Sequence, residues 1–237
     1  MKIINIQTEY LSNPLGIDIV HPRVTWNLEN VNKQMSYQII YRINNGIKIK
    51  TNIINSSSMH HDFDMTFNSK DYVEYQIVVN TDDNNTIISN LNHFEFGLLN
   101  KQDWKAKRIA GDYKTLKNKR YPVDYFQKKF IVNDVNKARM YISACGIYEA
   151  YINDKRVGNF ILAPGSTDYR KRIQYQTYDI TPLLKQNENK LNILLADGWY
   201  RGSIGAKGYT CVFGKETSFI NDHPCWIMFI IPIFTYL

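Results

Sequence analysis

The chain has 237 residues, a formal net charge of +7 and an aromatic content of 14%, which includes 17 tyrosines. This composition excludes an intrinsically disordered chain, and the length allows one large domain or two small ones. The densest basic stretch, Lys101–Arg120, also contains Asp103 and Asp112, and it shows no helical basic stripe. Because no nucleic-acid-binding motif accompanies the charge, we expect solvated surface lysines and no nucleic-acid partner.

The sequence predicts no metal site and no cofactor. Its three cysteines form no C-x-x-C pair, and the adjacent residues His60 and His61 would face opposite sides of a strand. The N-terminus, MKIINIQTEY, lacks the apolar run of a signal peptide, so we expect a cytoplasmic location.

Residues 1–98 carry the pattern of short strands joined by turns. The segments Tyr37–Ile43 and Val73–Val79 largely alternate between apolar and polar residues, and Asn45-Gly46 offers a hairpin turn. Repeated short strands without a helical period predict a β-sandwich. We expect Trp26 in its core.

A second β-rich region begins at Tyr125, after a connection over residues 99–120. The segments Ala138–Ala144 and Tyr148–Ile152 alternate, and Asn153-Asp154 is a turn signal because both residues tolerate positive φ. Further along, Thr181 followed by Pro182 predicts a short helical turn capped by the threonine.

The candidate site residues follow the apolar strand Leu191–Ala196, in the motif ADGWYRGSIG at 196–205. Aromatic rings stack on the apolar faces of sugars, while arginine and aspartate bond the hydroxyl groups. The motif and a second loop, Ala163–Arg170, together offer seven candidate substrate-binding residues: Asp168, Tyr169, Arg170, Asp197, Trp199, Tyr200 and Arg201. In the alternative interpretation, the aromatic residues pack beneath a loop and Arg201 pairs with an acid.

These motifs resemble those of a known family. Residues 141–184 and 191–205 are similar to the N-terminal β-sandwich domain of bacterial α-L-rhamnosidases, residues 8–29 resemble the fibronectin-like domain that precedes it, and residues 94–109 resemble the junction. The resemblance implies an all-β chain, a fibronectin- or immunoglobulin-like sandwich followed by a jelly-roll-like sandwich that is incomplete. The expected domains are 1–98 and 121–220, joined by a linker and domain entry at 99–120.

The resemblance also implies a function. The family hydrolyses terminal α-L-rhamnose from glycosides with inversion, by a carboxyl acid and a carboxylate base. Those carboxylates lie in a downstream (α/α) barrel, and none of the Asp or Glu residues here matches a catalytic position. We therefore expect a non-catalytic part that serves substrate recognition or structural support, with rhamnose-containing glycosides as substrates of the whole protein. A stand-alone carbohydrate-binding module without hydrolase activity is the alternative.

The last segment, 221–237, departs from the family pattern. It reads NDHPCWIMFIIPIFTYL, an apolar run without polar alternation. The run is too short to span a bilayer, which takes about 20 residues. We interpret it as an aberrant tail, produced where the reading frame is lost, that leaves the second sandwich with unpaired strand edges.

Overall fold

The computed structural model describes residues 1–113, 121–169, 171–201 and 226–234. It divides into two compact units, Met1–Trp104 and Lys105–Leu237. Strands dominate both units, so the predicted all-β class is confirmed. Each unit has its own hydrophobic core.

The first unit is a sandwich of two sheets. In chain order its strands are β1 Lys2–Thr8, β2 Leu15–Ile17, β3 Arg23–Glu29, β4 Gln34–Ile43, β5 Ile49–Lys50, β6 His60–Asp62, β7 Tyr72–Thr81, β8 Thr86–Ile88 and β9 Asn92–Phe96. One sheet has the order β1-β3-β6, and the other has the order β2-β9-β7-β4-β5 with β8 paired to β7. A single 3₁₀ turn, Lys101–Asp103, follows β9.

Strand alternation builds the core of this first unit. Every second residue of β7 from Val73 to Thr81 is buried, as the period-2 pattern predicts. Trp26 on β3 is 1% exposed and packs edge-on against Tyr37, so its predicted core position is confirmed. Its indole N–H donates to Oε1 of Gln34 at 3.0 Å, which satisfies the polar end of a buried ring.

The second unit is also built from two sheets around one core. Its strands are β10 Asp124–Val132, β11 Lys137–Cys145, β12 Ile147–Ile152, β13 Lys155–Arg156, β14 Tyr175–Asp179, β15 Asn187–Ala196, β16 Trp226–Ile230 and β17 Ile233–Phe234. One sheet has the order β10-β15-β12-β13, and the other has the order β14-β11-β16 with β17 paired to β11. A 3₁₀ turn at Thr181–Leu183 and the helical turn α1, Gly198–Arg201, complete the described elements.

Part of the apolar tail forms a strand of this second unit. β16 pairs antiparallel with β11 from Tyr141↔Ile230 to Cys145↔Trp226, and Ile227 is completely buried. Ile227 also exchanges two backbone hydrogen bonds of 2.9 Å with Ile109. The sequence reasoning did not foresee this strand; the lost reading frame proposed for the tail stays a prediction.

The turns fall close to their predicted places. Asn153 and Asp154 have φ of +50° and +64°, the left-handed conformation that their short polar side chains tolerate. The helical turn after β14 begins one residue earlier than predicted, with Ile180 rather than Thr181 at its N-cap. Thr181 Oγ1 instead accepts the N–H of Ala138 at 2.9 Å, which ties this turn to β11.

Candidate functional site

The candidate motif begins where β15 ends and the chain turns sharply into α1. Gly198 lies at this point with φ of +53°, a conformation that other L-residues rarely adopt. A Cβ atom there would lie 2.4 Å from Cγ1 and 2.9 Å from the backbone nitrogen of Ile147. Both the backbone conformation and the available space therefore require glycine at position 198. The turn at Gly198 brings the side chain of Arg201 into contact with Asp197.

Arg201 and Asp197 form an ion pair inside the second unit. Nε and Nη2 of Arg201 both donate to Oδ1 of Asp197, at 2.9 and 2.5 Å. The side chain of Arg201 is only 4% exposed and that of Asp197 is 18% exposed. A buried charge is costly unless it is paired and hydrogen-bonded. The carboxylate of Asp197 therefore offsets the cost of burying the guanidinium of Arg201.

Two tyrosines cover the other side of this guanidinium. Nη2 of Arg201 donates to the hydroxyl oxygen of Tyr113 at 3.1 Å, and the guanidinium carbon lies 4.7 Å from the ring centroid of Tyr121. The two rings stack at 5.1 Å, and the Tyr113 hydroxyl donates to Oδ2 of Asp124 at 3.0 Å. Burial raises the pKa of Tyr113, which keeps its proton available for this bond. Arg201 thus links the end of β15 to the start of β10.

The remaining aromatic candidates pack into the core. Tyr169 and Tyr200 are 8% and 5% exposed, and their rings meet edge to face with centroids 5.3 Å apart. Trp199 is partly buried and packs against the same core. The structure therefore brings Tyr169 from the first candidate loop into contact with Tyr200 from the second.

Of the other two candidates of the first loop, the structure describes only Asp168. Asp168 is half-buried, and its backbone carbonyl accepts the N–H groups of Lys171 and Arg172 at 2.8 and 3.0 Å, which closes a tight turn. Arg170 lies outside the described residues. The sugar-binding role of all seven residues stays a prediction.

Sequence reasoning missed the groups that hold Arg201 in place. Tyr113 precedes Arg201 by 88 residues and falls in the stretch that was interpreted as a linker. Asp124 is the first residue of β10 and Tyr121 lies just before that strand, and nothing in the local pattern marks either residue as a partner of a distant arginine. A pairing across that sequence distance leaves no periodic signal.

The second unit also contains an apolar cleft of about 470 Å³. It is lined mainly by residues of β10, β15 and β16: Ile109, Tyr125, Phe126, Gln127, Lys128, Leu191, Ile193 and Phe229. None of the six candidate residues that the structure describes lines it. The candidate motif and this cleft are therefore different places on the unit.

Among the described residues, no group of three or more His, Cys, Asp or Glu side chains is arranged to hold a metal ion. His60 is exposed and His61 is half-buried on β6. Within the same described ranges, no helix has the length and apolar character needed to cross a membrane.

Two domain models match the chain. A model of the Rha78A-like N-terminal immunoglobulin domain matches residues 3–100, and a model of the α-L-rhamnosidase N-terminal domain matches residues 133–228. The second match extends into β16. The two matches follow one another in the order that the sequence resemblance implies.

Relatives and solved structures agree with these models. An α-L-rhamnosidase of Formosa agariphila is 33% identical over 217 residues, which cover 84% of this chain and 23% of that protein. The crystal structure of an α-L-rhamnosidase from Aspergillus terreus superposes with a TM-score of 0.86 at 30% identity, over 98% of this chain and 27% of that one. A structure of an α-L-rhamnosidase from Dictyoglumus thermophilum gives 0.79 at 26% identity, over 98% and 28%.

The chain thus spans about a quarter of the length of these relatives. Its two units correspond to the two N-terminal domains, and the predicted resemblance is confirmed. This chain belongs to the α-L-rhamnosidase family, as a region made of its N-terminal immunoglobulin domain and its N-terminal domain.

Proposed function

We propose that the protein of which this region is part releases terminal α-L-rhamnose from glycosides, and that residues 1–237 support this activity without supplying a catalytic group. The observation that supports this proposal most strongly is the match of two domain models, because both models describe N-terminal domains of α-L-rhamnosidases. Hydrolysis by this class of enzyme takes two carboxyl groups placed on either side of the glycosidic bond. We assign neither carboxyl group to the described residues.

Burial of the candidate motif favours structural support over sugar contact for Arg201 and Tyr200. Both residues are 5% exposed. Asp197 and Tyr113 already accept hydrogen bonds from Arg201. A sugar hydroxyl could reach these groups only by displacing contacts that hold the unit together. On this proposal, the motif fixes the end of β15 to the start of β10 and so keeps the unit rigid.

An assay of hydrolysis tests the non-catalytic part of the proposal. The purified chain is incubated with p-nitrophenyl α-L-rhamnopyranoside beside a full-length α-L-rhamnosidase as the positive control. We expect no release of nitrophenol above the buffer rate. Turnover that survives repeated purification would overturn the proposal and place a catalytic pair within the chain.

The alternative function is a carbohydrate-binding module that uses Trp199. The partial exposure of Trp199 is the observation that favours this alternative. Titration with L-rhamnose, followed by tryptophan fluorescence, separates this role from support. The matched control for Trp199→Ala is Trp104→Ala, in the first unit. Saturable binding that is lost only in Trp199→Ala supports the module, and no binding at millimolar sugar supports the structural role.

A further inference from the structure

The first unit carries a polar cleft that no motif of the sequence singled out. The cleft has a volume of about 290 Å³, close to the lower end of the roughly 300–1,000 Å³ range of small-molecule sites. Its lining residues are Glu9, Tyr10, His21, Arg23, Thr25 and Asp62. It therefore has room for about one small ring, and it offers both hydrogen-bond donors and acceptors.

A tight turn holds an aromatic ring at the edge of this cleft. Thr8 and Leu11 exchange both backbone hydrogen bonds, at 2.8 and 3.0 Å, so that Glu9 and Tyr10 are the two central residues of a hairpin turn. Their φ angles are +49° and +64°, in a turn that usually takes asparagine or glycine. Tyr10 is nevertheless 80% exposed. Burial does not explain a tyrosine at this position, whereas presentation of its ring to a ligand does.

The polar groups of the cleft are held in place by one another. The backbone N–H of Arg23 donates to Oε1 of Glu9 at 2.6 Å. The guanidinium of Arg23 donates to both carboxylate oxygens of Asp62, at 2.6 and 2.9 Å. These bonds fix the two carboxylates, and each carboxylate oxygen keeps lone pairs for a further donor.

Strand geometry places the remaining groups on the same side. Arg23 and Asp62 are directly opposite each other in the pairing of β3 with β6, and Thr25 follows Arg23 by two residues, which puts both on one face of β3. His21 precedes β3, and its Nδ1 lies 3.2 Å from the carbonyl oxygen of Phe63. The cleft therefore combines an aromatic face, two fixed carboxylates, a guanidinium and a hydroxyl.

From this arrangement we infer that the cleft of the first unit binds one neutral pyranose ring, with Tyr10 stacked on its apolar face and Glu9 and Asp62 accepting its hydroxyl protons. Two carboxylates against one guanidinium make the lining groups net negative, which disfavours an anionic sugar. The hydrogen bond from Arg23 holds the pKa of Asp62 below its usual range, so this carboxylate is an acceptor at neutral pH. The inference goes beyond the proposed function, because it concerns the other unit and does not depend on hydrolysis.

The test is a titration of the isotope-labelled chain, observed by two-dimensional ¹H–¹⁵N NMR. The probes are L-rhamnose, D-galactose and D-glucose, each raised to about 50 mM, which would saturate a site with a dissociation constant of about 1 mM. We expect saturable shifts, for at least one sugar, at the amides of Glu9, Tyr10 and Arg23, with no dependence on salt.

Two variants of the same turn make the test specific. Tyr10→Asn removes the ring but suits the positive φ, so the turn should persist, and binding should weaken about tenfold. Leu11→Ala is the matched control, because Leu11 is 57% exposed but does not line the cleft. The sugar affinity of this variant should be unchanged. Thermal unfolding checks that both variants fold.

Three outcomes would overturn the inference. The first is the absence of saturable shifts with all three sugars, and the second is binding that Tyr10→Asn leaves intact. The third is a stronger response to ethylammonium chloride that disappears in 0.5 M salt, since that result would identify a site for cationic groups. Loss of hydrolysis in a longer protein would not bear on any of these outcomes.

Discussion

Each of the two units contains an arginine paired with an aspartate, and the two pairs have different roles: one lies exposed at a cleft, and the other is a buried structural link. Arg23 and Asp62 lie at the surface, with side chains that are 51% and 45% exposed, whereas the side chains of Arg201 and Asp197 are 4% and 18% exposed. Their bonds are similar in number and length. Exposure therefore decides the role: water screens the first pair and leaves it free to meet a ligand, while burial turns the second into a structural link.

The largest expected effect comes from breaking the buried pair. Arg201→Met should destabilise the second unit by about 3 kcal/mol, because it leaves Asp197 partly buried without its cation. Arg201→Lys should cost less, since it keeps the charge but loses the planar fork and its contact with Tyr121. The measurement is urea unfolding with a probe for each unit.

The exposed pair supplies the control for this experiment. Arg23→Met should cost far less than Arg201→Met, because exposed ion pairs contribute little to stability. Equal losses in the two units would show that burial does not distinguish the pairs, and the comparison would fail.

The next effect concerns the turn that delivers Arg201 to its partner. Gly198→Ala should cost about 2 kcal/mol, because alanine is strained at φ +53° and its Cβ would overlap Ile147. Adding Ile147→Ala should recover only part of this loss, since the close backbone nitrogen and the unfavourable φ remain. A double-mutant cycle measured by chemical unfolding gives the two contributions. A fully additive cycle would mean that the overlap with the Ile147 side chain does not matter.

Sequence reasoning predicted the features that local residue patterns control, and it missed the features that depend on residues far away in the chain. The alternation of β7, the turn at Asn153-Asp154 and the core position of Trp26 were predicted correctly, because each follows from nearest neighbours along the chain. β16 was missed, since a continuous apolar run does not reveal which strand it will join. Its pairing with β11 and the burial of Ile227 are set by residues about 80 positions away.

The candidate site shows the same division. The motif around Trp199 was found from residue types alone. Whether Arg201 binds a sugar or pairs with an acid was left open, and its bond to Tyr113 was not predicted, because the tyrosine lies 88 residues earlier. The cleft of the first unit was not found at all, since Glu9 and Asp62 come together only when β3 pairs with β6.

A smaller effect tests the aromatic side of the buried pair. Tyr113→Phe keeps the ring stacked on Tyr121 but removes the hydroxyl that accepts from Arg201 and donates to Asp124, at a cost of about 1 kcal/mol. Tyr125→Phe is the matched control, because Tyr125 is 57% exposed and should change stability by no more than a few tenths of a kcal/mol. Differential scanning calorimetry of the second unit is the measurement. Identical transitions for the two variants would show that the Tyr113 hydroxyl does not support Arg201.

The smallest effect is the pH dependence of the exposed pair. The pKa of Asp62 is lowered in the folded state, chiefly by its hydrogen bond from Arg23. The ionised carboxylate therefore stabilises the first unit above the unfolded-state pKa, near 3.9, and this contribution is lost as the pH falls through the lower folded-state value. Asp62→Asn should thus cost a few tenths of a kcal/mol at pH 7, and the cost should shrink in 0.5 M salt. Unfolding of both proteins at a series of pH values from 7 to 2 measures it. A cost that persists unchanged at pH 2 would have to come from packing or shape, and the charge of Asp62 would then contribute nothing to the first unit.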